Sequence, residues 1–127
     1  MSATFSISVD VQHSLVRLTL SGFFELEDVE RMADAHRAAL RQLRCPPNQH
    51  LTLVDARDLD IQAQESVAEF QRVLADRTAA SRRIAFVVAL SLARTQVRRA
   101  AEGRNAGYFM SPDEAEGWLL GADAAAA

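Results

Sequence analysis

The sequence has little of what would place it among disulfide-stabilised, secreted or membrane proteins. It contains one cysteine, Cys45, so no disulfide can form within the chain. The longest apolar run, around residues 84–90, is far too short to span a bilayer. The first residues lack the basic and apolar blocks of a signal peptide. We therefore expect a cytoplasmic protein without a membrane span.

Strong net charge is also absent. The net charge is −3 at pH 7, which provides no global field to recruit nucleic acid or an anionic membrane. An apolar fraction of 49% and a charged fraction of 24% are ordinary for a globular domain. With 127 residues, a single domain can bury roughly two-thirds of its unfolded surface. We expect no nucleic-acid partner.

The familiar motifs of catalysis and nucleotide binding are missing. The five glycines are scattered singly, and we find no G-x-G-x-x-G, Walker loop, G-x-S-x-G or H-E-x-x-H. His13, His36 and His50 are far apart and lack metal-ligand spacing. The sequence therefore predicts no catalytic residues, no bound metal and no cofactor, and we expect that the protein is not an enzyme.

Two kinds of strand pattern are present. Residues 51–55 are mainly apolar and end at Asp55, and residues 84–90 are apolar throughout; such runs are typical of parallel strands covered on both faces. Residues 5–11 and 16–20 alternate between apolar and polar side chains, which predicts an antiparallel hairpin. Residues 106–110 are predicted to form a last short strand.

Helical spacing between these strands predicts four helices. We expect Asp60 to cap the second helix and Ser91 the third, while Ser111 and Glu114 form a capping box, with Pro112 at the first helical position. Residues 1–120 would form the domain, and 121–127 a disordered, alanine-rich tail. The residues expected to face inward are Leu26, Val29, Ala33, His36, Leu40 and Leu43 in the first helix, Ala63, Val67, Phe70 and Leu74 in the second, Leu92, Val97 and Ala101 in the third, and Ala115, Trp118 and Leu119 in the fourth.

Three segments carry a resemblance to a known family: 53–59, 83–88 and 109–119. With the element order β-β-α-β-α-β-α-β-α, the chain resembles the STAS domain, in particular its stand-alone SpoIIAA-like branch. The resemblance covers nearly the whole chain. It implies an α/β fold with a mixed, mainly parallel five-stranded sheet and four helices.

The resemblance also implies a function. In antagonists of this family, an aspartate that ends the central strand precedes a serine whose phosphorylation breaks partner binding. The matching positions here are Asp55 and Ala56. Because alanine has no hydroxyl group, the usual phosphorylation switch cannot operate at that position. A protein-binding, regulatory role remains the implied function.

Charged residues mark the end of the central strand. Asp55, Asp58 and Asp60 lie there, with Arg57 between them. Clustered carboxylates at a strand end can hold Mg²⁺ or a phosphorylated group. The alternative is structural: Asp60 caps a helix, Asp55 accepts hydrogen bonds from loop amides and Arg57 pairs with a carboxylate.

A second candidate surface lies on the third helix. Arg94 and Arg98 are one turn apart and share a face, Arg99 is adjacent, and Ser91 opens the helix. Such a face can bind an acidic partner or an anionic ligand, and backbone amides near Ser91 can bind an anion. The alternatives are a solvated helix face for the arginines and simple capping for Ser91.

Three functions follow from these observations. The first is a non-catalytic, cytoplasmic interaction or regulatory module whose partner is another protein. The second is a small-molecule carrier that binds a nucleotide or a lipid, that is, a small anionic or apolar ligand, in a pocket lined by Val67, Phe70 and Leu74. The lipid alternative is implied by the resemblance, because the fold is also similar to SEC14-type lipid-binding domains. The third is a metal-dependent enzyme that uses the three aspartates. A homodimer is a further alternative, formed through the strand at 5–11 or through exposed Phe23 and Phe24.

Overall fold

The computed structural model describes residues 2–89 and 91–126, with side chains described up to residue 121. It contains the predicted five strands and four helices in the predicted order. The elements are β1 (Thr4–Asp10), β2 (Leu15–Gly22), α1 (Leu26–Leu40), β3 (Leu51–Leu59), α2 (Gln64–Ala75), β4 (Arg83–Val87), α3 (Leu92–Ala100), β5 (Ala106–Phe109) and α4 (Pro112–Ala126).

The five strands form one sheet in the order β1-β2-β3-β4-β5. β1 pairs antiparallel with β2, whereas the pairs β2–β3, β3–β4 and β4–β5 are parallel. A two-stranded hairpin needs only a tight turn, whereas each parallel connection requires a crossover, here a helix. The predicted mixed, mainly parallel sheet is therefore confirmed.

Helices cover both faces of the sheet and create two apolar cores. The first core contains side chains from the strands, α1 and α3, with α2 packed against it, and the second joins the strands to α4. In β4, Ile84 and Phe86 point into the first core, whereas Ala85 and Val87 point into the second core. Because alternate side chains enter different cores, this strand is apolar throughout, as predicted.

The capping predictions have different outcomes. The backbone N–H of Glu114 donates to Ser111 Oγ at 3.1 Å, with Pro112 as the first residue of α4, so this cap is confirmed. Asp60 does not cap α2, whose N-cap is Ala63. Instead the N–H of Asp60 donates to the carbonyl of Gly22 at 3.1 Å. β3 therefore continues beyond the predicted end, and Asp60 joins its last residues to β2.

Three burial predictions are wrong. Leu92 is 70% exposed, Leu26 is 40% exposed and Phe24, expected at the surface, is fully buried. Leu92 and Leu26 are the first residues of α3 and α1, where the helix extends past the edge of the core. Phe24 instead packs its ring against Phe70 of α2, with 5.5 Å between centroids.

The end of β4 and the carboxyl-terminal tail differ in how far the structure tests them. β4 ends at Val87, earlier than the predicted 90, and Leu90 lies outside the described residues. The predicted disordered tail falls mostly on residues 122–127, whose side chains are also outside them, and it stays a prediction. Over the part of the chain that the structure describes, no helix has both the length and the apolar character needed to cross a membrane.

Candidate functional site

Asp55 and Arg57 form a bidentate pair at the carboxyl end of β3. Arg57 Nε donates to Asp55 Oδ1 at 2.9 Å and Arg57 Nη2 donates to Asp55 Oδ2 at 2.7 Å. These hydrogen bonds lower the pKa of Asp55 below its ordinary value. They raise the pKa of Arg57 in return. The carboxylate is thus already neutralised by a neighbour two residues away.

Asp58 lies near this pair. Its charge also raises the pKa of Arg57, though less than Asp55 does. The pairing of β2 with β3 shifts here, so that Asp55 lies opposite Thr19 and Asp58 opposite Ser21. We call Asp55, Arg57 and Asp58 the strand-end charge group. Among the described residues, no group of three or more histidine, cysteine or acidic side chains is placed to hold a metal ion.

The arginines of α3 lie on a different surface. The guanidinium of Arg98 stacks over the ring of Tyr108, 4.3 Å from its centroid, and Tyr108 packs against the first core. The neighbours of Asp55 in β3 point into that same core, so Asp55 itself faces the α4 side. The structure therefore places the Asp55–Arg57 pair and Arg98 on opposite faces of the sheet.

The remaining α3 residues differ in their surroundings. Arg94 is half-buried, and its Nε has no hydrogen-bond partner. Arg99 is exposed, and its backbone carbonyl accepts a hydrogen bond from Gln71 at 3.1 Å. Ser91 is the exposed N-cap residue of α3, with φ −157° and ψ 174°, but its hydroxyl makes no capping hydrogen bond.

Sequence reasoning missed a buried glutamine that organises the loop after β3. Gln62 is 5% exposed. Its Oε1 accepts the backbone N–H of Phe24 at 2.7 Å, and its Nε2 donates to the carbonyls of Gly22 at 3.0 Å and Asp60 at 2.5 Å. One side chain thus joins the exits of β2 and β3. Its polar character in an otherwise solvated loop gave no sign of burial.

Gln96 and Ser66 extend this network to the helices. Gln96 Oε1 accepts the backbone N–H of Gln62 at 2.7 Å, and Gln96 Nε2 donates to the carbonyl of Gln62 at 2.8 Å. Ser66 Oγ donates to the carbonyl of Phe24 at 2.7 Å. The loops at the carboxyl end of the sheet are therefore held as a fixed platform on α2 and α3.

Exposed apolar side chains collect above this platform. Of the six large apolar side chains that are exposed among those described, five follow the carboxyl ends of the parallel strands; Val11, in the β1–β2 turn, is at the opposite end. We call these five residues the apolar rim. They are Phe23, Leu26, Ile61, Leu92 and Met110.

Two small pockets, of about 80 Å³ and about 50 Å³, lie between the sheet and the helices of the first core, and each is partly open to solvent. Because they share five apolar lining residues, we call them the first and second lobes of one cavity. The second lobe is lined by Val67, Phe70 and Leu74, the three residues expected to line a carrier's pocket. Most of the lining is apolar.

Three basic residues lie at the amino-terminal end of the sheet, beside the first lobe. His36 of α1 and Arg104, which precedes β5, line this lobe. His50, which precedes β3, is 4% exposed. Burial, followed by the charges of His36 and Arg104, lowers the pKa of His50 to about 4. We call these three residues the basic cluster.

Comparisons with known proteins establish the fold. No protein-family model matches the chain, and no curated protein matches its sequence. Among solved structures, the chain is similar to an uncharacterised DUF3478-family protein with a SpoIIAA-like fold from Shewanella loihica PV-4. The TM-score is 0.70 and the identity 18%, over 94% of this chain and 96% of the other.

A second solved structure gives the same result. The chain is similar to an anti-sigma factor antagonist from Mycobacterium paratuberculosis, with a TM-score of 0.58 and 12% identity, over 89% of this chain and 92% of that one. The fold is therefore SpoIIAA-like, the fold of STAS-type domains. The structural similarity establishes the fold. Because the sequence identities are low, the function has to be argued from the surfaces of this chain.

Proposed function

We propose that the protein is a non-catalytic regulatory module that binds another protein through the carboxyl end of its sheet. The observation that carries this proposal is the apolar rim, which gathers most of the exposed large apolar side chains at one end of the molecule. Exposed apolar side chains in a group mark interaction surfaces. In open α/β sheets, this is also the end where ligands and partners are met.

The platform beneath the rim supports this role. Gln62 and Gln96 hold the loops in place through hydrogen bonds of 2.7 to 2.8 Å, so a partner would meet a surface that is already ordered. A preorganised surface loses less conformational entropy on binding. Arg94 lies in the first turn of α3, two residues after Leu92, and places a positive charge near the rim.

The mode of regulation would differ from that of phosphorylated antagonists. At the position matched to the phosphorylated serine, Ala56 is 4% exposed and packs in the first core. Asp55 is engaged by Arg57 rather than being free to act on a substrate. We therefore expect partner binding to be constitutive at this position. A cytoplasmic location fits such a module and remains an expectation.

The test compares opposite ends of the molecule. We expect affinity capture from an extract of the native host to recover a specific partner with the wild-type protein. The double variant Leu92→Ser, Met110→Ser should lose that partner, because both side chains are exposed members of the rim. Val11→Ser is the matched control, since Val11 is 39% exposed at the other end. Equal capture by all three proteins would contradict the proposed surface.

A second candidate function is that of a small-molecule carrier, and a specific observation favours it. The cavity beside α2 is lined by the predicted Val67, Phe70 and Leu74, although cores normally leave few voids larger than a water molecule. Native mass spectrometry of the purified protein tests this candidate. A retained adduct supports a carrier, whereas an apo mass, together with no thermal stabilisation by a panel of small ligands, opposes it.

A further inference from the structure

The basic cluster contains buried nitrogen atoms that no group in the described part of the chain satisfies. Nε2 of His36, Nε2 of His50 and Nε of Arg104 are all buried without a hydrogen-bond partner. A buried polar group in this state costs about 1–3 kcal/mol, and more if it is charged. Three such nitrogens from three separate segments of the chain indicate a site that is completed by something else.

No acidic side chain completes it. The terminal nitrogens of Arg104 donate to the carbonyls of Leu74 and Ser81, both at 3.2 Å, and burial lowers its pKa. Arg37 lies next to His36, but it pairs with Asp76 at 2.7 Å. Within the described residues, no carboxylate pairs with any member of the basic cluster. Arg104 is therefore a cation that none of these carboxylates neutralises, and an anionic group would both neutralise it and offer an acceptor to the unpartnered nitrogens.

The cavity defines what is attached to that anion. His36 and Arg104 are on the wall of the first lobe, which borders the second lobe across shared apolar residues. Cavities of about 150 Å³ in other proteins hold a benzene-sized molecule, so lobes of about 80 Å³ and about 50 Å³ suit a tail of a few carbon atoms. The shared residues are Leu20, Val54, Phe70, Leu74 and Phe86.

We propose that the cavity binds a small carboxylate with a short apolar tail, whose carboxylate lies against the basic cluster and whose tail fills the two lobes. The proposal rests on the carrier candidate and specifies its ligand class. The basic cluster lies at the other end of the sheet from the apolar rim, although the second lobe reaches the platform at Gln62 and Gln96. Binding would supply the acceptor that the buried nitrogens lack, and tail burial would add the hydrophobic contribution.

The experiment uses three matched probes on the intact protein. Hexanoate carries both features, 1-hexanol lacks the charge and acetate lacks the tail. By titration calorimetry, we expect hexanoate to bind about tenfold or more tightly than either of the others, because each lacks one contribution. In NMR spectra, hexanoate should shift the ring resonances of His36 and His50, while exposed His13 serves as an internal control.

Variants test the contribution of the cluster. His50→Asn should weaken hexanoate binding about tenfold and leave 1-hexanol binding unchanged. His36→Asn should have the same effect and provides a second test. Both variants keep Arg104, whose side chain donates hydrogen bonds to two backbone carbonyls and so contributes to the fold. Gln49→Asn, at an exposed neighbour of His50, is the control and should bind as the wild type does.

The other outcomes separate the two proposals. If 1-hexanol binds as tightly as hexanoate, the carrier candidate stands and the anion site fails. If acetate binds as tightly as hexanoate, the cavity plays no part and the proposal also fails. If none of the three produces heat or histidine shifts, both the ligand class and the carrier candidate are overturned.

Discussion

At the scale of single residues, polar side chains decide where the loops at the carboxyl end of the sheet run. Gln62 is buried, yet its side-chain oxygen and nitrogen both have backbone partners. A polar group is tolerated in a core only with such partners. Ser66 satisfies the carbonyl of Phe24 in the same way. The positions of Phe23 and Ile61 at the surface follow from these internal hydrogen bonds.

Replacement of Gln62 by methionine tests this role. The change keeps a similar side-chain length but leaves the buried N–H of Phe24 without its acceptor and removes the Gln62 donor from the carbonyls of Gly22 and Asp60. The Gly22 carbonyl keeps one donor, the N–H of Asp60. We expect the free energy of unfolding to fall by about 3 kcal/mol, measured by urea denaturation. Gln64→Met, at the exposed first residue of α2, is the control. A loss below about 0.5 kcal/mol for Gln62→Met would contradict a structural role.

His50 predicts how stability depends on pH. Its pKa is about 4 in the folded protein against an ordinary 6.5, so the unfolded chain binds more protons between these values. Stability is therefore complete above about pH 6.5 and falls as the pH is lowered towards 4, by about 2–3 kcal/mol from this residue. His36, whose pKa is also lowered, acts in the same direction.

The variant His50→Asn should flatten this part of the stability curve. Urea denaturation at several pH values between 7 and 4 measures the slope, and Gln49→Asn should retain the slope of the wild type. Asp76, whose pKa is lowered to about 2, contributes only at more acidic pH. An unchanged slope in His50→Asn would show that His50 is not the group that titrates.

At the scale of elements, the phase of α3 shows what periodicity can and cannot predict. The predicted inward positions Val97 and Ala101 are buried, but Leu92 is not, and Ala93 takes its place. The stripe at 93, 97 and 101 follows an i, i+4 spacing. The pattern identified the helix correctly, but the end of the core cannot be read from a hydrophobic residue at the first helical position.

Two substitutions in α3 test this phase. Val97→Ala removes two methyl groups from the first core and should cost about 2 kcal/mol of unfolding free energy. Leu92→Ser should change it by less than about 0.5 kcal/mol, because the side chain is 70% exposed. Thermal and urea denaturation of both variants measure the difference. A larger loss for Leu92→Ser would mean that this residue packs inward, as its hydrophobicity suggested.

At the scale of the whole molecule, the fold was predictable because its pattern is distributed along the chain. The alternation in β1 and the continuous apolar run of β4 each indicate how many faces of a strand are covered, and Ser111-Pro112 marks the start of a helix. The candidate site was harder to predict. Asp55 lies in β3 and Arg98 in α3, and only the folded sheet shows that their side chains are on opposite faces. The basic cluster could not be predicted, because His36, His50 and Arg104 meet only through tertiary packing.

The two ends of the sheet therefore have different characters. The carboxyl end carries the apolar rim on an ordered platform, and the amino-terminal end carries the basic cluster beside the cavity. The side edges also differ. β5 has four residues, with Arg98 stacked on its Tyr108, whereas β1 has seven, Thr4–Asp10, and a single charged residue at its end. An edge strand that carries no charge before its last residue is a surface for pairing with a second copy.

We accordingly predict weak, reversible self-association through β1, with a sedimentation coefficient that rises with protein concentration. Ser6 and Ser8 are exposed on this strand. The double variant Ser6→Lys, Ser8→Lys would bring like charges together across a pair of β1 strands. Its dissociation constant should rise about tenfold or more. Thr19→Lys, on the exposed residue opposite Ser6 in β2, is the control and should associate as the wild type does. A wild-type protein that stays monomeric at every concentration, or a double variant that associates equally well, would show that β1 is not a pairing edge.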